Sequence, residues 1–369
     1  MATFYRRHSR AGRRLLAALA LLPALWGSQV AAGERWPLML WDAPQEQRQL
    51  LREASDTPLA TRGWRLCAIY PHLKDGYWLA VNYGMKEEAR RLGVGLEIAE
   101  SGGYHNLEEQ RQQVSKALDD KNCHALLLGT VSYDGLNDLL SGHAGAKPVL
   151  ALANDIAPAG VQGKIGVPWQ QLGLEIGRWL AERHPAGTPS TDIAWFLGPQ
   201  EAGWVGFLDA GFREGIAGSA INVAVTKWGD TGRLTQRRLV EEALEEHPGL
   251  RYLAGTAVMA EVAIAELRHK GLQDRIGLVS SYMTPGAYGG LSRGRILAAV
   301  SDFPVLQGKL AVQQAVSHLE GVPARSFIGP EVSLLTRDTV AQYPARWILP
   351  PAGFTPIYTL PPNPALPSP

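Results

Sequence analysis

The sequence predicts an α/β protein of two doubly wound parallel-sheet lobes, and two observations carry that prediction. Short apolar runs alternate with segments of helical spacing, the pattern of successive βαβ units. The alternation also runs through twice, with a second round opening at Ile165, Gly166 and Val167. A length of 369 residues suffices for two cores.

An address precedes the fold. Arg6, Arg7, Arg10, Arg13 and Arg14 form a basic region, 15–26 an apolar stretch, and Val30, Ala31 and Ala32 a small-residue cleavage site. Residues 1–32 therefore read as a cleaved secretory signal peptide. The Arg13 and Arg14 pair resembles a twin-arginine signal, but its surroundings fit poorly. No later segment reaches the ~18 to 20 uncharged apolar residues of a membrane span, so the mature protein is expected to be exported, soluble and without direct membrane insertion. Residues 33–61 form a charged, Pro-containing extension with a short helical pattern at 45–54.

The first round begins with a strand at 64–70, passes through the turn formers Lys74, Asp75 and Gly76, and becomes a helix at 78–92 closed by Gly93. A strand at 96–100 exits through SGGY. Helix 107–118, strand 125–129, helix 135–141 and strand 148–153 follow. In the second round a short strand at 165–167 exits through Pro168 and Trp169 into a helix at 171–181. The strand at 193–198 has a loop at 199–203 that opens a helix at 205–216. Segments 222–227, 236–247, 252–255, 260–270, 276–281 and 286–292 continue the alternation. The strand at 295–300 runs into Ser301, Asp302, Phe303 and Pro304, and 307–320 is a long helix closed by Gly321. The tail at 360–369, LPPNPALPSP, is too Pro-rich to pack and reads as disordered.

Several function classes are disfavoured. Lys and Arg number 36 against 35 Asp and Glu, with no basic block in the mature region, which argues against a nucleic-acid partner. The run from Gly290 to Gly294 matches G-x-S-x-G but joins a helix to a strand, the reverse of a nucleophile elbow. The nine histidines contain no H-x-x-x-H pair, and there is no P-loop or G-x-G-x-x-G after a strand. Neither an enzyme, nor a metal, nor a cofactor is expected. Cys67 in the first strand and Cys123 before the third would be neighbours in a sheet of order 2-1-3; sequence leaves open a disulfide or two buried thiols.

Ligands of open α/β sheets bind at the carboxyl ends of the strands, where Tyr77 and Trp78 fall. The segments WRLCAIYPHLKDGYWLAVNYGM, ESGGY, IGVPWQQLG, GPQEAGW, AGTAVMAE, LVSSYM and AAVSDFPVLQGKLAVQQA resemble the TorT family of periplasmic trimethylamine N-oxide-binding proteins, within the type I periplasmic binding-protein superfamily. The resemblance spans about 41–358; KDGYW with a downstream VPW is its specific part, whereas SD followed by P and QG is shared with sugar binders.

The resemblance implies a type I periplasmic binding-protein fold with three crossovers, expected near Asn154, Asp302 and Val332. Lobe 1 would then be 62–153 plus 303–332, and lobe 2 would be 154–302 plus 333–359. It further implies a small ligand, trimethylamine N-oxide, held between the lobes. Closure around it would be read by the periplasmic domain of a membrane sensor histidine kinase, TorS in that family, controlling trimethylamine N-oxide respiration. Matching ligand positions are Asp75, Tyr77, Trp78, Tyr104, Trp169 and Tyr282. Gly76 departs from the Ser expected in relatives.

Residue chemistry agrees with that implication. The N-oxide offers three methyls carrying spread positive charge and one oxygen that only accepts hydrogen bonds, so it calls for π faces and a few donors. Tyr77, Trp78, Tyr104, Trp169 and Tyr282 fall at strand exits, and each has both. Any one of them can equally be packing a core. Asp75 suits the cationic end, or else caps a turn or pairs with Lys74; Asp302 contacts ligand or braces a hinge. The competing readings are a sugar- or betaine-type binding protein of an ABC transporter and, from another class, an exported hydrolase.

Overall fold

The computed structural model describes residues 36–42, 47–51, 59–145, 147–322, 325 and 327–369. The expected signal peptide lies outside the described residues. Among those residues no helix is long and apolar enough to cross a membrane.

The described chain opens with β1 (Leu38–Asp42) and β2 (Gln47–Leu51), an antiparallel pair with Leu38 opposite Leu51. The helix expected at 45–54 is thus a strand where it is described. So short a helix gains little by itself, whereas a ladder to β1 is available, and β1 is itself held by β13. Next come β3 (Arg65–Tyr70), α1 (Gly76–Leu92), β4 (Gly95–Glu100), α2 (Leu107–Asp119), β5 (Ala125–Leu128), α3 (Asn137–Gly142), β6 (Val149–Leu152) and β7 (Gly163–Ile165). These strands are parallel, and β4-β3-β5 reproduces the 2-1-3 order. β5 and β6 are buried along their whole length, which is why their sequences read as continuous apolar runs.

The second lobe comprises α4 (Trp169–Arg183), β8 (Thr191–Leu197), α5 (Val205–Ile216), β9 (Ile221–Trp228), α6 (Arg233–Glu246), β10 (Tyr252–Gly255), α7 (Ala257–His269), β11 (Gly277–Ser280), α8 (Pro285–Ser292) and β12 (Ala298–Ser301). The chain then returns through α9 (Pro304–Leu319) to β13 (Phe327–Pro330) in the first sheet, crosses to β14 (Ser333–Thr336) in the second, and ends in β15 (Thr359–Leu360) beside β4. α9 lies so close to α1 that a Cβ on Gly84 would collide with the Val305 carbonyl.

Two sheets result among the described residues, of order β15-β4-β3-β5-β6-β7-β13-β1-β2 and β14-β12-β11-β10-β8-β9. They correct two boundaries. The first crossover is not near Asn154: β7 still pairs with β6 and β13, so the chain leaves the first sheet only after Ile165. The passages at Asp302 and about Val332 fall between β12 and α9 and between β13 and β14. A fourth passage returns the chain to the first sheet, so Thr359 belongs there and not to lobe 2.

The Pro-rich tail is ordered against that lobe. Ile98 N–H donates to the Tyr358 carbonyl (2.8 Å), Asn363 N–H to Gly93 (3.0 Å) and Gly63 N–H to Pro367 (2.8 Å). Proline removes donors but keeps its carbonyls, so such a segment can still pair along an edge. Cys67 and Cys123 form a disulfide, with Cα atoms 5.7 Å apart.

Candidate functional site

The carboxyl ends of both sheets converge on one cluster of rings. At the exit of β3, Asp75 caps α1: its Oδ1 accepts from the N–H of Tyr77 (3.1 Å) and Trp78 (3.2 Å). That cap starts the helix at Gly76, two residues earlier than its apolar spacing suggests, and puts Tyr77 and Trp78 in the first turn. Trp78 stacks on Tyr70 with centroids 5.2 Å apart and covers Gly129, where a Cβ would strike its ring.

The other walls come from other strand exits. Tyr104 follows β4 and accepts from Asn154 Nδ2 (3.1 Å). Trp169 opens α4, its Nε1 donating to the Ala153 carbonyl (2.9 Å). Tyr282 follows β11 and meets Tyr77 edge-on at 5.6 Å. Sequence reasoning missed Trp204, between β8 and α5, which lies against Trp169 at 4.9 Å and within 6.1 to 6.4 Å of Tyr282 and Tyr104. It also missed Asn154 and Thr231, at the exits of β6 and β9. The signal was there, because GPQEAGW follows a strand as KDGYW does.

Asp75, Tyr77, Trp78, Tyr104, Trp169 and Tyr282 all border one small cavity of about 10 Å3, with Asn154, Trp204 and Thr231. Asp302 does not reach it. It sits behind Tyr77, 0 % exposed, and its Oδ2 accepts from the Tyr77 hydroxyl (2.6 Å) and from Gln307 Nε2 (2.7 Å), while Oδ1 has no partner. Burial raises the Asp302 carboxyl above its usual range, and those two hydrogen bonds oppose the shift. Tyr77, Tyr104 and Tyr282 are raised by burial too, which keeps them neutral donors. Trp204 Nε1, like the ring nitrogens of Trp36, Trp41 and Trp179 outside the cage, has no partner of full hydrogen-bond geometry, though a weak interaction with it lowers the Tyr104 pKa.

The lobes meet above the cage. Lys74 pairs with Asp230 across the opening (2.6 Å), and a Cβ added to Gly76 would stand 2.5 Å from Pro285 Cδ at the start of α8. His72, buried and lowered in pKa chiefly by that burial, lies 3.3 Å from Thr231 Oγ1 and 3.8 Å from Asp75 Oδ2. This is not a catalytic triad, since hydroxyl and carboxylate meet the same Nε2 while Nδ1 is unpartnered. Two non-glycine residues with positive φ flank the site, Ala153 (63°) and Phe303 (52°), the kind of strained backbone that gathers at functional sites. No group of three or more His, Cys, Asp or Glu suited to a metal occurs among the described residues.

Comparisons with known proteins fit this architecture. Residues 67–323 match the family described as periplasmic binding protein domain. The chain is 38 % identical over 347 residues to periplasmic protein TorT of Escherichia coli (strain K12), covering 93 % of this chain and 95 % of that protein. An ABC transporter solute-binding protein from Bradyrhizobium sp. BTAi1, solved with bound bis-tris, is 40 % identical with a TM-score of 0.76, over 89 % of this chain and 99 % of that one. The TorS sensor domain–TorT complex solved in the presence of trimethylamine N-oxide matches at 38 % identity and a TM-score of 0.73, over 80 % of this chain and 99 % of that one. With two such lobes and close identity along nearly its whole length, the chain belongs to the periplasmic binding-protein family and, within it, to the TorT family.

Proposed function

We propose that this protein is exported to the periplasm by its N-terminal signal, binds trimethylamine N-oxide in the aromatic cage, and presents its liganded state to the sensor domain of a membrane histidine kinase. The observation that carries the reading is the composition of the cage. Its rings supply π faces for the methyls, each such contact worth roughly 0.5 to 2 kcal/mol when dry. Trp204 Nε1 is a donor held by no more than a weak interaction with the Tyr104 hydroxyl, suited to the N-oxide oxygen. Asp75 adds an acidic side chain to the lining for the ammonium end.

Rival ligands fit less well. Betaine has the methylated nitrogen but needs a cation for its carboxylate, and none lines the cavity; the nearby Lys74 is engaged by Asp230. A sugar wants a fence of amides, acids and arginines, and the lining offers one amide and one acid. The cavity has room for about one water molecule, so the lobes must part and the cage widen for even a compact solute to bind. Partner and ligand are supported by the relative solved with the TorS sensor domain and trimethylamine N-oxide. A transporter-linked reading is favoured by the relative named an ABC transporter solute-binding protein, whose bis-tris is itself a tertiary amine.

Calorimetric titration of the mature protein with trimethylamine N-oxide, beside glycine betaine, ribose and glucose, tests the proposal. Saturable binding of the N-oxide is expected. Binding of a sugar with no response to the N-oxide would overturn it.

A further inference from the structure

Three arginines occupy matching places on three neighbouring strands. Arg251, Arg275 and Arg295 stand one, two and three residues ahead of β10, β11 and β12, which run side by side and parallel in the second sheet. Carried back by one to three residues, the strand registers set Arg251 and Arg295 level with Ile276 on either side of it and Arg275 one residue earlier, so the three cluster at one edge of the sheet with strands about 4.8 Å apart. That edge is the amino-terminal one, at the far end of the sheet from the cage. All three are exposed and line a single groove of about 250 Å3, whose apolar floor includes Ile276, Leu278 and the 42 % exposed Leu297.

The cluster has no counter-charge to match. Elsewhere on this lobe Arg213, Arg233, Arg237 and Arg238 each pair with a carboxylate. None of the three groove arginines does so among the described residues, and Asp274 is the one acid in the lining. Next to the groove, His184 bonds Tyr252 Oη (3.0 Å), and its pKa is lowered by burial and then by the charges of Arg251 and Arg183. Like charges gathered at one sheet edge repel one another. An arrangement that keeps them together in a concavity, unneutralised, is what a bound anion would reward.

The geometry points to a second binding site, for a small multivalent oxyanion of the polycarboxylate or phosphate type. The guanidinium forks would take its oxygens in pairs, and the apolar floor would seat its carbon skeleton or bridging atoms. This site is separate from the cage and does not depend on what the cage binds.

The test uses the full mature chain in low-salt buffer, titrated with citrate and with inorganic pyrophosphate, against sodium chloride at matched ionic strength. Calorimetry should show saturable binding of at least one of the two, and the tighter one tells which class of oxyanion accepts the guanidinium hydrogen bonds. Arg275→Ala and the pair Arg251→Ala with Arg295→Ala should each weaken it at least tenfold. Ligand-free Arg275→Ala should melt no lower than the wild type, because it relieves repulsion. The inference fails if neither anion binds beyond the chloride control, if the variants bind equally well, or if ligand-free Arg275→Ala melts several degrees lower, which would make that guanidinium a structural group.

Discussion

The Tyr77 hydroxyl donates to Asp302 Oδ2 over 2.6 Å, and this bond ties a cage wall on α1 to the point where the chain crosses from β12 back to the first lobe. Removing the hydroxyl leaves a buried carboxylate with Gln307 as its remaining side-chain donor. Tyr77→Phe is therefore expected to cost about 1 to 3 kcal/mol in urea unfolding. An unchanged midpoint would show that the bond does not form in solution.

The same carboxyl gives a pH test. Its folded pKa is raised, so relative to an uncharged isostere its contribution is intact below the ordinary Asp value of ~3.9 and is lost as pH rises through the folded value. Asp302→Asn keeps an acceptor for Tyr77. Its melting temperature should gain on the wild type as pH rises above about 4, the ordinary Asp value, and a difference that stays flat as pH rises would contradict the shift.

Trp204 offers a clean separation of binding from folding. Its Nε1 has no partner of full hydrogen-bond geometry and only a weak interaction with the Tyr104 hydroxyl, so Trp204→Phe keeps a ring in place and gives up little internal hydrogen bonding. The variant should lose about 1 to 2 kcal/mol of trimethylamine N-oxide affinity, roughly tenfold, with little change in thermal midpoint. Trp78→Ala would be a poorer probe, since emptying a ring stacked on Tyr70 is expected to cost about 3 to 5 kcal/mol of stability.

Gly76 controls how closely α1 and α8 approach. Gly76→Ser should weaken ligand binding by an overpacking cost of about 1 to 3 kcal/mol, because its Cβ meets Pro285. Combining it with Pro285→Ala should restore most of the loss. Additive losses in that double-mutant cycle would place the effect elsewhere.

The disulfide should be worth about 2 to 4 kcal/mol. Cys123→Ser is expected to lower the unfolding free energy by that amount, and thiol titration of the denatured, unreduced wild type should find no reactive thiol.

Much of this was legible in the sequence for a definite reason. Buried parallel strands must be apolar throughout, so β3, β5, β6, β8 and β10 announce themselves, and the aromatic residues just beyond several of them can be placed at one sheet edge before any contact is known. What pairs with a distant partner was not legible. β2 depends on β1, β7 is three residues long and is held between β6 and β13, and the tail follows β4 through carbonyls that composition does not reveal. Trp204 is a different case: its place at a strand exit was legible from GPQEAGW, but as the residue capping a helix it fell between the loop and the helix. Asp302 was placed near the ligand, but the structure sets it one residue behind, because the crossover that brings it close also turns it towards Gln307.

The disulfide also bears on how the chain matures. The sequence holds two cysteines, so oxidation has one possible product and no mispaired isomer to escape. Because they are 56 residues apart and both precede the first crossover, the bridge can close as soon as β3 and β5 have emerged and met, before the second lobe exists. Maturation in an oxidising compartment would then call for a thiol oxidant alone, with no isomerase, and the first sheet would be stapled while the rest of the chain is still arriving.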